Sequence, residues 1–194
     1  MKSPLVLASN SPRRRELLAA AGFEFQVVAP NITERHDVDL TARELTSLNA
    51  TRKALAVARR CFGRIVLAAD TVVVLDADIL GKPQSLGEAA AMLRRLSGRA
   101  HEVCSAVFIC DPVRRRWTTF QDVSRVDFRR LTDARIRAYI KSVDVLDKAG
   151  AYAAQERADE IIERIEGSYT NVIGLPMERT VAALAQFGIR PSEV

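Results

Sequence analysis

Ser9, Ser11, Arg13 and Arg14 crowd into the stretch SNSPRRREL, directly behind the apolar run PLVLA. Hydroxyl and guanidinium groups at this spacing suit the binding of a phosphate or a carboxylate through charge-assisted, bidentate hydrogen bonds. A strand that turns through Ser and Pro into a helix also points free backbone N–H groups outward, and the helix dipole favours an anion there. Arginines in a first turn oppose that dipole by about 0.3 kcal/mol or more, a penalty that an anionic ligand reverses. The plainer alternative is a solvated first turn, and spacing alone leaves both open.

Asp70 is the second candidate, an acid inside the apolar run RIVLAADTVVVLD. Buried without a partner it would be costly, so it either stands at a strand end or is paired. Carboxylates so placed act as metal ligands or general bases, or are held by backbone amides in a turn. Glu34 in a polar loop, Lys53 inside a helix-like stretch and Lys82 in the turn GKP each read singly as a solvated charge. Gln155 closes DKAGAYAAQ, whose small residues permit close backbone approach. A Gln amide donates and accepts, which suits the edge of a uracil-like base; a Gly-containing helix start is the alternative. His36 and His101 form no metal pair, and His101 reads as structural.

These residues need elements to position them. LVLAS (5–9) predicts a buried strand, and 12–22 a helix with Ser11 as N-cap, Pro12 in its first position and Gly22 as its stop. FEFQVVAP reads as a strand and NITERHDVD as a loop. Residues 40–60 read as a long helix whose Thr41 and Glu44 match a capping box. Residues 64–76 predict a strand, ADILGKP a turn, and SLGEAAAMLRRLSG a helix. HEVCSAVFIC and RWTTFQDVSRVDFRRL read as paired strands about the turn DPVRR. A helix capped by Thr132 follows, then a strand EIIERIEG, an irregular SYTNVIGLP, and a last helix from near Pro176. The alternation predicts a mixed α/β fold of two lobes about a cleft.

The 194 residues suit one large domain or two small lobes. Cys61, Cys104 and Cys110 are odd in number and lack CxxC spacing, so neither a disulfide framework nor a zinc site is expected. The net charge of +5 is compatible with an anionic ligand, while an aromatic content of 6% gives no support to nucleic-acid binding. No run is long enough to span a bilayer, and the apolar start is too short for a signal peptide, so a cytoplasmic protein is expected. The phosphate-loop, dinucleotide, zinc-protease, nucleophile-elbow and EF-hand patterns are all missing.

Taken together and in order, LASNSPRRRELL, Glu34, RKA at 52–54, AADTVV, GKP, MLRRLSGRAHEV, DKAGAYAAQ and GSYTNVIGLP resemble the Maf family of nucleoside triphosphate pyrophosphatases, also called septum-formation proteins. The resemblance spans residues 5 to 176. It implies a single domain over 1–194 with two lobes sharing one elongated mixed sheet, similar to inosine triphosphatase (Maf/Ham1) architecture. It also implies hydrolysis between the α- and β-phosphates. Arg13, Thr71 and Gln155 place the chain nearest the subgroup acting on dTTP and UTP, where the 7-methyl-GTP subgroup has Trp and Gln at the first two positions.

By the same resemblance, Asp70 is the proton acceptor and, with Glu34, holds a divalent metal, Mg²⁺ or Mn²⁺. Lys82 joins them in catalysis. Ser9, Arg14 and Lys53 bind phosphate, while Arg13, Thr71 and Gln155 read the base. A homodimer is implied, with no membrane partner. One departure is evident: where the family has a Gly-rich stretch after the Gln, this chain has ERADEII, which predicts a helical or otherwise different loop. Modified pyrimidine nucleotides such as 5-methyl-UTP or pseudo-UTP would suit the same machinery. The competing expectation is a non-catalytic nucleotide- or nucleic-acid-binding regulator of septum formation.

Overall fold

The computed structural model describes residues 5–36 and 39–192. Asp37 and Val38, part of the expected loop NITERHDVD, lie outside the described residues, as does Pro4 of the opening apolar run. The fold is mixed α/β, with helices and a seven-stranded sheet in the order β2-β1-β3-β5-β6-β7 and β4 paired to β3. Its strands are β1 (Leu5–Leu7), β2 (Gln26–Val27), β3 (Ile65–Leu75), β4 (Asp78–Leu80), β5 (Ala100–Asp111), β6 (Arg116–Phe128) and β7 (Ile162–Glu166). β1 runs parallel to β2 and β3, whereas β4 and β7 are antiparallel to their neighbours.

The chain divides into two compact units. The first comprises residues 1–70, 105–122 and 174–194, and the second 71–104 and 123–173. Strands β3, β5 and β6 each contribute to both, and on β3 the division falls between Asp70 and Thr71.

In the first unit, strand periodicity sorts side chains onto two apolar layers. Leu5, Leu7, Leu67 and Ala69 pack with Leu18 of helix α1 (Pro12–Ala20) and with Ala183 and Leu184 of helix α7 (Met177–Gln186). Val6, Ala8, Val66 and Ala68 pack instead with Ala50, Ala54 and Val57 of helix α2 (Ala42–Ala58). The alanines on α2 let that helix lie close against the sheet. Helix α1 starts as expected: Ser11 caps it, Pro12 stands at its first position and Gly22, at φ +77°, lets the chain leave. The Thr41–Glu44 capping box of α2 is complete, each side chain bonded to the other residue's backbone N–H.

The second unit holds helix α3 (Leu86–Leu96) and helix α4 (Asp133–Ser142), capped by Ser85 and Thr132. Its core includes an edge-to-face cluster of His101, Phe128 and Tyr152.

Four elements depart from expectation. FEFQVVAP yields only the two-residue β2, because its one partner, β1, is itself three residues long. The expected turn ADILGKP contains strand β4: Asp76, at φ +58°, turns tightly with Ala77 and folds 78–80 back onto β3. Of the expected strand EIIERIEG, Glu160 and Ile161 instead close a short helix, α5 (Ala158–Ile161), entered through Arg157 at φ +50°, and β7 begins at Ile162. SYTNVIGLP is not irregular but includes helix α6 (Tyr169–Ile173), where Ser168 Oγ accepts the Asn171 N–H at 3.2 Å and closes the turn.

Candidate active site

Period two along β3 decides where Asp70 points. Val66 and Ala68 face α2, so Asp70, two positions on, faces α2 as well. On that helix Asn49 and Lys53 stand four residues apart, one above the other on the same face. Lys53 Nζ donates to Asp70 Oδ1 at 2.6 Å and to Glu34 Oε1 at 2.7 Å. Both Asp70 and Lys53 are 5% exposed, so the acid mid-strand is paired rather than placed at a strand end. Glu34 remains half-buried, its side chain 31% exposed, and joins them from the loop before α2.

The first turn of α1 approaches the same charges. Arg14 is buried, and its Nε donates to the Gly174 carbonyl at 2.8 Å, with a longer contact from its terminal nitrogen to Ser9 Oγ at 3.4 Å. Burial pulls the Arg14 guanidinium below its ordinary pKa, while the charges of Asp70 and Glu34 pull the other way and Arg13 adds to the lowering. Ser9 Oγ also accepts the Ser11 N–H at 3.1 Å. Arg13 is half-buried and Arg15 is exposed, so the three consecutive arginines have three different environments. The expectation of a solvated turn holds for Arg15 alone among them.

Ser9, Arg14, Glu34, Lys53 and Asp70 are thus brought together within the first unit. Thr71, Lys82 and Gln155 belong to the second. There the Gly150 N–H donates to the Gly81 carbonyl at 3.0 Å, tying the loop that leads to Gln155 to the turn that carries Lys82. Gly150 sits at φ +69°, and a Cβ there would meet Val73 Cγ2 at 3.0 Å, so glycine is favoured. Tyrosine hydroxyls secure the rest of that loop. Tyr152 bonds His101 Nε2 at 2.8 Å, Tyr139 accepts the Ala153 N–H at 3.0 Å and Tyr169 donates to the Ala154 carbonyl at 2.9 Å. Gln155 and Lys82 are exposed and Thr71 is half-buried. Beyond Gln155 the chain bends and enters α5, in keeping with the expected departure at ERADEII.

Asp70 and Glu34 offer only oxygen, and a cationic ammonium already lies between them. That donor set suits a hard divalent ion such as Mg²⁺ or Mn²⁺, which takes one or two carboxylates and completes its shell with water and phosphate oxygens. Among the described residues no cluster of three or more His, Cys, Asp or Glu side chains could hold a metal by itself. The three cysteines are free, Cys104 and Cys110 buried.

One residue of this site escapes a reading of the sequence. Asn49 is 2% exposed and binds both Arg35 and Asp70. An Asn inside a helix carries no motif; its only signal is the four-residue spacing to Lys53.

A family model described as Maf-like protein matches residues 4–187. A dTTP/UTP pyrophosphatase of Akkermansia muciniphila is 43% identical over 98% of this chain and all of its own length. Proteins of the same name from Geotalea uraniireducens and Geobacillus sp. (strain WCH70) are 44% and 45% identical, covering 96% and 95% of this chain and 96% and 98% of theirs. Among solved structures, the Staphylococcus aureus Ham1 protein aligns with a TM-score of 0.43 and 16% identity over 64% of this chain and 71% of its own, too slight a likeness to argue from. With the ordered motifs, the paired carboxylates and a family match over nearly its whole length, the chain belongs to the Maf family.

Proposed function

We propose that this protein hydrolyses nucleoside triphosphates between the α- and β-phosphates, releasing a nucleoside monophosphate and pyrophosphate, with dTTP and UTP preferred. The observation that carries the reading is the Glu34–Lys53–Asp70 array beside buried Arg14. Its relatives' shared name, dTTP/UTP pyrophosphatase, supports the same activity and preference.

The reaction needs charge neutralisation and an activated water rather than a covalent nucleophile. As water attacks phosphorus, a P–O bond forms, the α,β-bridging P–O bond breaks, and the water proton passes to the Asp70 carboxylate. Hydrogen bonds from Lys53 and Asn49 keep that carboxylate in one orientation. Glu34 steadies the other side of the Lys53 ammonium. Asp70 and Glu34 would hold a divalent cation, which when bound supplies Lewis-acid neutralisation of the phosphate oxygens.

Ser9, Arg14 and Lys53 are assigned to phosphate binding and Lys82 to catalysis. Arg13, Thr71 and Gln155 are assigned to the base. A non-catalytic binder of polyphosphate would gain nothing from two carboxylates near its ligand's charges. No helix among the described residues is long and apolar enough to cross a membrane. The cytoplasm, where nucleoside triphosphates are used, is the compartment this reading expects, and a homodimer is its expected assembly.

The deciding experiment measures pyrophosphate release with Mg²⁺ or Mn²⁺ across canonical and modified nucleoside triphosphates. Release is expected from dTTP and UTP, and Asp70→Asn is expected to lower kcat by about 10²–10⁴-fold, the usual worth of a positioned base. Release from none, with nucleotide still bound, would sink the enzyme reading in favour of a septum-formation regulator. Gln155→Ala should blur the preference among UTP, dTTP, CTP and GTP.

A further inference from the structure

The side chain of Asn49 makes three hydrogen bonds, and they reach two different parts of the site. Its Oδ1 accepts the Arg35 N–H at 2.9 Å, and its Nδ2 donates to the Arg35 carbonyl at 3.1 Å. A backbone N–H can only donate and a carbonyl only accept, so this pair sets which way the amide faces. The second Nδ2 hydrogen then points at Asp70 Oδ2, 3.3 Å away. Oδ1 of the same carboxylate is the oxygen held by Lys53.

Arg35 directly follows Glu34 in a stretch with no regular secondary structure. Without a ladder or helix to hold it, that backbone depends on side chains for its position. Asn49 clasps both backbone polar groups of Arg35, the residue next to Glu34, as a neighbouring strand would. Being buried on α2, one turn before Lys53, it makes these bonds from a rigid element.

We propose that Asn49 is a positioning residue for the reaction assigned above: it docks the Glu34 loop onto α2 and fixes the rotation of the Asp70 carboxylate, so that the two acids keep their spacing about Lys53. The inference rests on the pyrophosphatase reading for its kinetic consequence, while its structural half stands apart from it. Asn49 touches neither water nor phosphate in this role. It acts through Glu34 and Asp70, so its loss should appear in kcat rather than in KM.

The test compares Asn49→Leu and Asn49→Asp with the unaltered full-length chain. Leucine fills a similar volume and deletes all three hydrogen bonds. Aspartate keeps an acceptor for the Arg35 N–H but has no hydrogen for the Arg35 carbonyl or Asp70. Amide hydrogen exchange at Arg35, read by NMR without nucleotide or metal, reports the docked loop; pyrophosphate release reports the carboxylates. Asn49→Leu is expected to lose protection at Arg35 and to lower kcat by about 10- to 100-fold with KM unmoved. Asn49→Asp is expected to keep Arg35 protected and still lose kcat.

A folded Asn49→Leu protein with unaltered kcat or unaltered Arg35 exchange overturns the proposal. If that variant does not fold, Asn49→Asp decides: unaltered kcat overturns the proposal, and lowered kcat with Arg35 still protected upholds it. If the unaltered protein releases no pyrophosphate, the pyrophosphatase reading fails. Arg35 exchange alone then decides whether Asn49 holds the loop.

Discussion

Lys53 shows how much one side chain can carry at this site. It is the cation common to two carboxylates, one buried and one half-exposed. Removing it takes from Asp70, which is 5% exposed, its ion-pair cation and leaves it the hydrogen bond from Asn49. Breaking a buried pair from one side costs about 3 kcal/mol or more. Lys53→Met should therefore lower the urea midpoint by a corresponding amount at unchanged slope. Glu34→Gln leaves the Lys53–Asp70 pair intact and removes only a half-exposed partner, so its cost should stay within about 1 kcal/mol. Equal losses in the two variants would show that the array does not depend on the buried pair. On the proposed reaction both variants should also lose turnover, because it uses the charges of Lys53 and Glu34 as well as the fold.

At the scale of elements, the loop that carries Gln155 is held by a glycine and a buried histidine. Gly150→Ala would place a Cβ 3.0 Å from Val73 Cγ2 at φ +69°. The left-handed conformation alone costs an L-residue about 1–2 kcal/mol, so thermal unfolding should move down measurably. His101 adds a pH dependence. Burial holds its imidazole down at about 4, with Asp127 pulling weakly upward, whereas the unfolded chain takes its proton near 6.5. Between those values the unfolded chain binds more protons. Stability from this group is thus complete above pH 6.5 and is lost as pH falls toward 4, by roughly 3 kcal/mol. The buried Nδ1 has no partner among the described residues, so a proton there would meet no acceptor. Urea midpoints at pH 7 and pH 5 should converge in His101→Gln and differ in the unaltered protein.

For the whole molecule, the net charge of +5 would attract the nucleoside triphosphate of the proposed reaction, which carries about four negative charges. Long-range attraction of that kind is screened once the Debye length falls from about 10 Å at 0.1 M salt to about 3 Å at 1 M. Over that range kcat/KM should decline while kcat holds nearly steady. A parallel decline of both would place the salt effect in the chemical step, at the paired carboxylates, instead of in encounter.

Local chemistry was legible along the chain. The Ser11 cap, the Thr41–Glu44 box and the near-continuous apolar run at 64–76 each act within a few residues, so α1, α2, β3 and α3 could be read directly. The family resemblance of the ordered motifs pointed to Ser9, Arg14, Glu34, Lys53 and Asp70, along with Arg13, Thr71, Lys82 and Gln155, although singly Glu34, Lys53 and Lys82 read as solvated charges. What strand pairing decides could not be read so. β2 is short because β1 is short, and β4 exists because Asp76 can turn the chain back onto β3. Asn49 is the clearest case. Nothing adjacent to it marks it, because its partners are the backbone at Arg35 and the carboxylate at Asp70, 14 and 21 residues away. Sequence alone determined which charged groups the protein possesses and which helices and strands carry them. Only the tertiary structure decided which oxygen each donor would meet, since burial removes water and makes every unsatisfied polar group seek a partner across the fold.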